Sequence, residues 1–595
     1  MKNKLNLKEF SVKNGLLTIN VDSNIDYDPD VFEPKLKIYF NNGKQNLLLP
    51  ILQRKRAYFS FKNEDYVTFN HKLIIKELFP DNKWDTIRIS LFLIYGNKKV
   101  EEIHIDPNNI GLVNLDHNYD LKFSEDSTFY LKRVKNSHNR NMKHSTKMFF
   151  SYVIRIISLV IAIILIPFFI LDAIFIMAKI PNLNSSGGLL YLEDPNPLKR
   201  GLRHILWRMS HFSNIGIENS FIIFKNKMIN IGYHLVRKVS KENNRIMFVS
   251  ERDIKLTGNL KFIHEELQKY DNISMEISTC NQSFPTASFK HRIKTYIQMA
   301  QADVILLDAY FKKMNYFNIT DQYLIQVWHA CGAFKTFGFS RLGKPGAPKL
   351  NDTANRKYDN AIVSSSSIID CYAEAFGISN EKVLPLGVPR TDVFFDDDYA
   401  KSAKEKFYNR YPHLENKKII LFAPTYRGGN RKNGYYPINA FNPVELYNEL
   451  GDGYAILMKH HFFVKDHFKI PNEYKDNIID IDITEDINDL LFITDILISD
   501  YSSVVFEAAL LDIPMLFYAF DLENYISERS FYYEYKTFVP GKIIYSQEGI
   551  VNSIKNNDFE NYKINSFKSK FFDYLDGKST ERIVNLIFEK LNQNK

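Results

Sequence analysis

Three cysteines in 595 residues, Cys280, Cys331 and Cys371, are too few and too scattered for a disulfide framework. They form no CxxC pair, so zinc held through cysteine is not expected, and a reducing compartment suits the chain. GxGxxG and GxxxxGK[ST] are also missing, which removes the dinucleotide fingerprint and the P-loop. The opening residues, MKNKLNLKEF, lack the apolar centre of a signal peptide. One-sided charge is scarce too. Lys and Arg number 77 against 69 acids, a net charge of +8, and no nucleic-acid partner is expected from so small an excess. What is present is a folding composition, 45% hydrophobic and 25% charged, at a length that calls for about three domains.

Residues 1–130 carry short β-branched and aromatic runs, LLTINVD, KLKIYF, AYFSFK and TIRISLFLIYG, separated by turn formers such as NNGK. They predict a β-rich, sandwich-like accessory domain without a catalytic constellation. Residues 131–243 form a basic linker that opens on LKRVKNSHNRNMKHSTK and contains the most apolar stretch of the chain. Ile156–Leu171 has no charge; Asp172 interrupts it, and AIFIMA follows as far as Ala178. A clean span needs about 20 apolar residues, and Pro167 would kink this one. Basic residues lie on both flanks, including Lys199, Arg200, Arg203 and Arg208. The expectation for 156–178 is a membrane-associating helix that enters one leaflet and is held by anionic headgroups, with amphipathic helices after it. A buried core helix is the alternative.

From residue 244 apolar strand-like runs alternate with helical spacers. RIMFVS, ADVILLD, LIQVWHA and NAIVSSS come first; KKIILFAPT, YAILMKH, NIIDID, DILISD and PMLFYA follow a Pro-, Gly- and Asp-rich break at LPLGVPRTDVFFDDD. This rhythm predicts two parallel-sheet α/β domains, 244–393 and 394–595, with ligands at the strand C-terminal ends.

Polar residues collect at those ends. LIQVWHA delivers His329, followed by the small residues Ala330, Cys331, Gly332 and Ala333, whose backbone N–H groups would admit a phosphate. Histidine suits proton removal from a hydroxyl near neutral pH, although a lone histidine at such a place is more often structural. YAILMKHH ends in Lys459, His460 and His461. Neighbours on a strand face opposite ways, so the histidine pair alone makes a poor metal site, whereas Lys459 and His461 could share the cleft and hold a diphosphate. DILISDYSS brings Ser502 and Ser503 to a helix start, a capping pattern and an anion site, with Glu507 one turn on to hold a ribose hydroxyl. The loop after KKIILFAP offers Thr425, Tyr426 and Arg427. Arg390 sits near the interdomain break, and each of these arginines could bind phosphate or form a surface ion pair.

These blocks, WHACGAFKTFGFSR, VSSSSIIDCYAEAFGI, LPLGVPRTDVFFD, ILFAPTYRG, MKHHFFVK and ISDYSSVVFEAALLDIPMLFYAFDLENY, resemble in order those of the CDP-glycerol glycerophosphotransferase family, the teichoic acid primases and polymerases of Gram-positive bacteria. The resemblance spans roughly 244–590. The GAFKT-GFSR form and the FVPGKI tail are most similar to the poly(ribitol-phosphate) polymerase branch. It implies a GT-B fold and attack by an acceptor hydroxyl on the β-phosphate of CDP-glycerol or CDP-ribitol, releasing CMP. It further implies that His329 acts as base, that His461 is the second essential histidine, and that Lys459, Arg390, Thr425, Tyr426, Ser502, Ser503 and Glu507 bind the donor. The implied acceptor is a lipid-linked teichoic acid primer at the cytoplasmic face of the cell membrane. No cofactor or metal ligand set is assigned, and Mg2+ is optional. One departure stands out: the family's Lys-Met-His-Pro is here Lys459-His460-His461-Phe462. Two rival readings remain, a GT-B glycosyltransferase using a nucleotide sugar and an inactive membrane scaffold that binds polymer.

Overall fold

The computed structural model describes the strands before residue 134, Leu198, and most of the chain from Ile217 to Gln593 apart from short breaks. The run AYFSFK and the apolar segment 156–178 lie outside the described residues. Among the described residues no helix is long and apolar enough to cross a membrane. The chain divides into two compact units, one made of 1–134, 240–315 and 319–595, the other of 135–239 with 316–318. In the smaller unit the helix Ile217–Ser240 sets Tyr233 against Phe317, with ring centroids 4.4 Å apart.

Among the described residues before 134 there are ten strands: β1 (Leu5–Lys13), β2 (Leu16–Ser23), β3 (Phe32–Asn41), β4 (Asn46–Leu49), β5 (Val67–Ile74), β6 (Thr86–Tyr95), β7 (Lys98–Ile103), β8 (Ile105–Asn114), β9 (Tyr119–Phe123) and β10 (Phe129–Arg133). One sheet runs β5-β2-β1-β8; the other runs β4-β3-β6-β10-β9, with β7 beside β6. A bulge between Leu7 and Glu9 of β1 shifts the register against β2. The buried set therefore passes from Leu7 to Phe10 and Val12, an odd-to-even change that simple alternation could not make.

Two parallel sheets follow. The first is built of β11 (Arg245–Ser250), β12 (Ser274–Thr279), β13 (Val304–Leu307), β14 (Tyr323–Gln326), β15 (Asn360–Ile362) and β16 (Val383–Leu384), in the order β12-β11-β13-β14-β15-β16. The second comprises β17 (Lys418–Phe422), β18 (Tyr454–Met458), β19 (Ile478–Asp480), β20 (Ile496–Ser499), β21 (Met515–Tyr518) and β22 (Lys542–Ile544), in the order β19-β18-β17-β20-β21-β22. All residues of β11, β13, β20 and β21 are buried. That is why these segments appear as unbroken apolar runs: a parallel sheet is covered on both faces. Strand order reverses between β11 and β13 in the first sheet and between β17 and β20 in the second, and a crevice opens at the C-terminal side of such a reversal.

The expected boundary at 394 needs one correction. The helix Ser579–Gln593 places Ile583, Val584, Ile587 and Leu591 in the core of the first α/β domain, beside Ile246, Phe248, Leu306 and Ile325. Asp392, in the interdomain connection, fastens its start by accepting from the Ser579 and Thr580 N–H groups at 2.9 and 2.7 Å. A helix start carries N–H groups with no partner inside the helix, so a carboxylate there is favourable.

Candidate active site

His329 lies three residues beyond β14, and its ring is fixed from two sides. Nδ1 is 2.7 Å from the Asp308 carbonyl oxygen at the end of β13. A carbonyl only accepts, so the proton resides on Nδ1 and Nε2 presents a lone pair. The indole of Trp328 covers the ring, with centroids 4.3 Å apart. Trp328 itself has φ of 51°, unusual for a bulky residue. Asn259 holds that backbone by donating to the Val327 and Trp328 carbonyls, each at 3.0 Å, and its own oxygen accepts from the Arg390 N–H at 3.1 Å. Burial, with the positive charges of Arg252 and Arg390, holds the His329 pKa well below its ordinary value. At neutral pH the ring is therefore an uncharged base.

The small residues after His329, expected to admit a phosphate, are closely packed. Cys331, Gly332 and Ala333 are buried, and only Ala330 is partly open. Gly332 has φ of 62°, and a Cβ there would fall 2.0 Å from the Phe506 ring. Its small size serves close packing of the two α/β domains. Gly332→Ala should therefore destabilise the protein by about 1–3 kcal/mol from overpacking alone, with lost turnover. A thermal unfolding midpoint equal to that of the wild type would contradict this.

On the opposite side, β17 leads into Thr425, Tyr426 and Arg427. The Thr425 N–H donates to Asp500 at 2.7 Å. Tyr426 packs on the His461 ring, with centroids 4.5 Å apart, and its hydroxyl accepts from Arg529 at 2.9 Å. Arg427 is not available to a phosphate. Its Nε and Nη2 donate to the two oxygens of Asp521 at 2.7 and 2.8 Å, and Nη1 donates to Asp500 at 2.8 Å. Burial by itself would weaken its charge, but Asp500 and Asp521 outweigh that and raise its pKa. The residue ties the loop after β17 to Asp500 and Asp521.

His461 follows β18. Its Nδ1 accepts from the Phe463 N–H at 3.1 Å, which leaves the proton on Nε2. Burial, then Lys335, Arg252 and Arg529, push its pKa down to about 3. The ring is a neutral donor, opposite in polarity to His329. Lys459 does not accompany it: its Nζ donates to the Asp482 carbonyl at 2.5 Å, and the charges acting on it are Asp482, Glu485, Asp486 and Asp480. Arg390 and Glu507, expected to bind the donor, are paired with each other. Glu507 is 1% exposed, and its second oxygen has no partner. The helix Val504–Leu510 is short, and Ser503 at its start makes no capping bond through its side chain. Ser502 Oγ instead accepts, at 3.4 Å, from the Val504 N–H.

The two histidines share one electrostatic neighbour. Arg252, two residues past β11, acts on both rings. Lys335 acts on His461 as well, and its own pKa is pushed down to about 8 by burial and then Arg529; Arg341, lowered by burial and by Arg529, acts on Lys335. Sequence reasoning assigned no role to Arg252, Asn259, Asp308, Lys335, Asp500 or Arg529. Arg252, Asp308 and Asp500 carry the signal used for the histidines, a polar residue at a strand end, and that rule would have found them.

Residues 231–589 match the family described as CDP-Glycerol:Poly(glycerophosphate) glycerophosphotransferase. The chain is 40% identical over 362 residues to the teichoic acid poly(ribitol-phosphate) polymerase of Bacillus spizizenii, covering 60% of this chain and 58% of that one. It is 42% identical over 357 residues to the teichoic acid ribitol-phosphate polymerase TarK of Staphylococcus aureus, covering 59% and 69%. The chain thus spans less than two thirds of the first relative's length. The solved structure of the wall teichoic acid polymerase TagF superposes with a TM-score of 0.52 at 23% identity, covering 63% of this chain and 96% of that one, a likeness of fold. With more than half of its length matched in one stretch, the chain belongs to the CDP-Glycerol:Poly(glycerophosphate) glycerophosphotransferase family.

Proposed function

We propose that the protein transfers a polyol phosphate, glycerol-phosphate or ribitol-phosphate, from its CDP-activated form to the terminal hydroxyl of a membrane lipid-linked primer. The observation that carries this reading is the opposed pair of neutral histidines, one presenting a lone pair and the other an N–H. On this reading His329 Nε2 takes the proton from the acceptor hydroxyl, whose oxygen bonds to the β-phosphorus of the donor. The bond from that phosphorus to the oxygen bridging the α-phosphate breaks, and CMP leaves with the electron pair. His461 Nε2–H donates to a phosphate oxygen, and Lys335, Arg252 and Arg529 offset the charge. Such transfer depends mainly on positioning and electrostatics.

Both curated relatives named above are ribitol-phosphate polymerases, which favours CDP-ribitol as donor. Ser502, Thr425 and Tyr426 line the donor side in this proposal, and residues 156–178 hold the enzyme to the cytoplasmic face of the membrane. The test supplies lipid-linked primer with CDP-ribitol or CDP-glycerol and follows CMP release and product mass. Mass increments of one polyol-phosphate unit from CDP-ribitol are expected. Release of CMP from neither donor, with glycosyl transfer from a nucleotide sugar instead, would overturn the reading.

A further inference from the structure

His460, left without a role by the chemistry above, is the most unusual polar residue in the second α/β domain. Past the end of β18, His461 packs against Tyr426 while its neighbour His460 packs against His467. His460 is 3% exposed, yet neither ring nitrogen has a hydrogen-bond partner. Leaving a buried polar group unsatisfied costs about 1–3 kcal/mol. Its ring lies between His467, 4.2 Å away between centroids, and Phe468, 5.3 Å away. His467 Nδ1 is 2.7 Å from a carboxylate oxygen of Asp480, at the end of β19. One potential ligand atom from each of His460, His467 and Asp480 falls within a mutual distance of 4.8 Å.

We propose that His460, His467 and Asp480 form a site for a divalent transition cation of the zinc class, separate from the phosphate chemistry, which braces the turn carrying His461. Two imidazoles and a carboxylate suit zinc, with bonds of about 2.0–2.2 Å and a fourth position for water. Asp480 is 39% exposed on its side chain and gives the cation a way in. The two imidazole planes are 27° apart, so seating one cation between them requires a ring to turn. His467, with its side chain 27% exposed, is the one with room; His460 is clamped. The cation would supply the partner that His460 lacks.

The test uses the untagged full-length protein, stripped with a chelator, gel-filtered and titrated with zinc chloride. Bound metal is measured by elemental analysis, and thermal unfolding is followed in parallel. One zinc per chain is expected, with a higher unfolding midpoint, because a ligand bound only to the native state stabilises it. Changing groups behind metal ligands already weakens affinity about 10- to 100-fold. His467→Ala and Asp480→Asn should each weaken zinc binding by at least that much and abolish the zinc-dependent midpoint shift. His460→Met should abolish the shift as well, while its zinc-free midpoint stays at or above that of the wild type. Zinc uptake that is equal in wild type, His467→Ala and Asp480→Asn, or that is absent from the wild type, overturns the proposal.

Discussion

His329→Ala is expected to lower turnover by about 10²- to 10⁴-fold, the usual contribution of a positioned general base. Donor binding and the unfolding midpoint should change little, since the ring makes one hydrogen bond, to the Asp308 carbonyl. The pH profile carries a second readout. A base must be unprotonated, so activity falls as pH drops through its pKa. Burial and the charges of Arg252 and Arg390 hold that pKa well below the ordinary 6.5. The acidic limb of kcat/KM should accordingly lie below pH 6.5. Replacing Arg252 with a neutral residue of similar length removes one of the two charges and should move that limb upward. An alanine variant with unchanged turnover would refute the assignment.

The largest loss of stability is expected from Arg427→Met. The guanidinium is 6% exposed and neutralises Asp500, itself 1% exposed, and Asp521. Four aromatic rings, Tyr436, Tyr501, Phe520 and Tyr525, lie 5.0–5.5 Å from it. Breaking a buried ion pair by removing one partner costs about 3–5 kcal/mol, because the remaining charge is stranded. Here two carboxylates would be stranded. Arg427→Lys should recover little, since an ammonium cannot span both oxygens of Asp521 while also reaching Asp500. Thermal and urea unfolding test this directly. If Arg427 instead contacted the donor, the methionine variant would raise KM for the CDP-polyol and leave the unfolding midpoint in place.

Arg427 also shows where the sequence stops being informative. A loop Thr-Tyr-Arg-Gly after a strand has the look of a phosphate clamp. Nothing local reveals that Asp500 and Asp521, 73 and 94 residues further along, already hold the guanidinium. Gly332 is a similar case. Small residues beside a catalytic candidate suggest room for a ligand, but the space belongs to Phe506 on the facing domain. The parallel strands, by contrast, were legible because burial on both faces forces continuous apolar runs, and strand ends then located His329 and His461. The direction of each ring's proton was not legible. It depends on whether a backbone carbonyl or a backbone N–H meets Nδ1, a choice made by tertiary contact.

The helix Ser579–Gln593 has a consequence for how the protein reaches its native state. Ile583 and Ile587 fill the core beneath β11 and β13, yet the ribosome makes them more than three hundred residues after β11. During synthesis the first α/β domain therefore waits with part of its apolar core uncovered, a state prone to aggregation. A chaperone that shields apolar surface should bind the nascent chain in this interval and let go once the helix docks. Truncation before Ser579 would then be felt mainly in the first of the two domains, far from the cut in sequence.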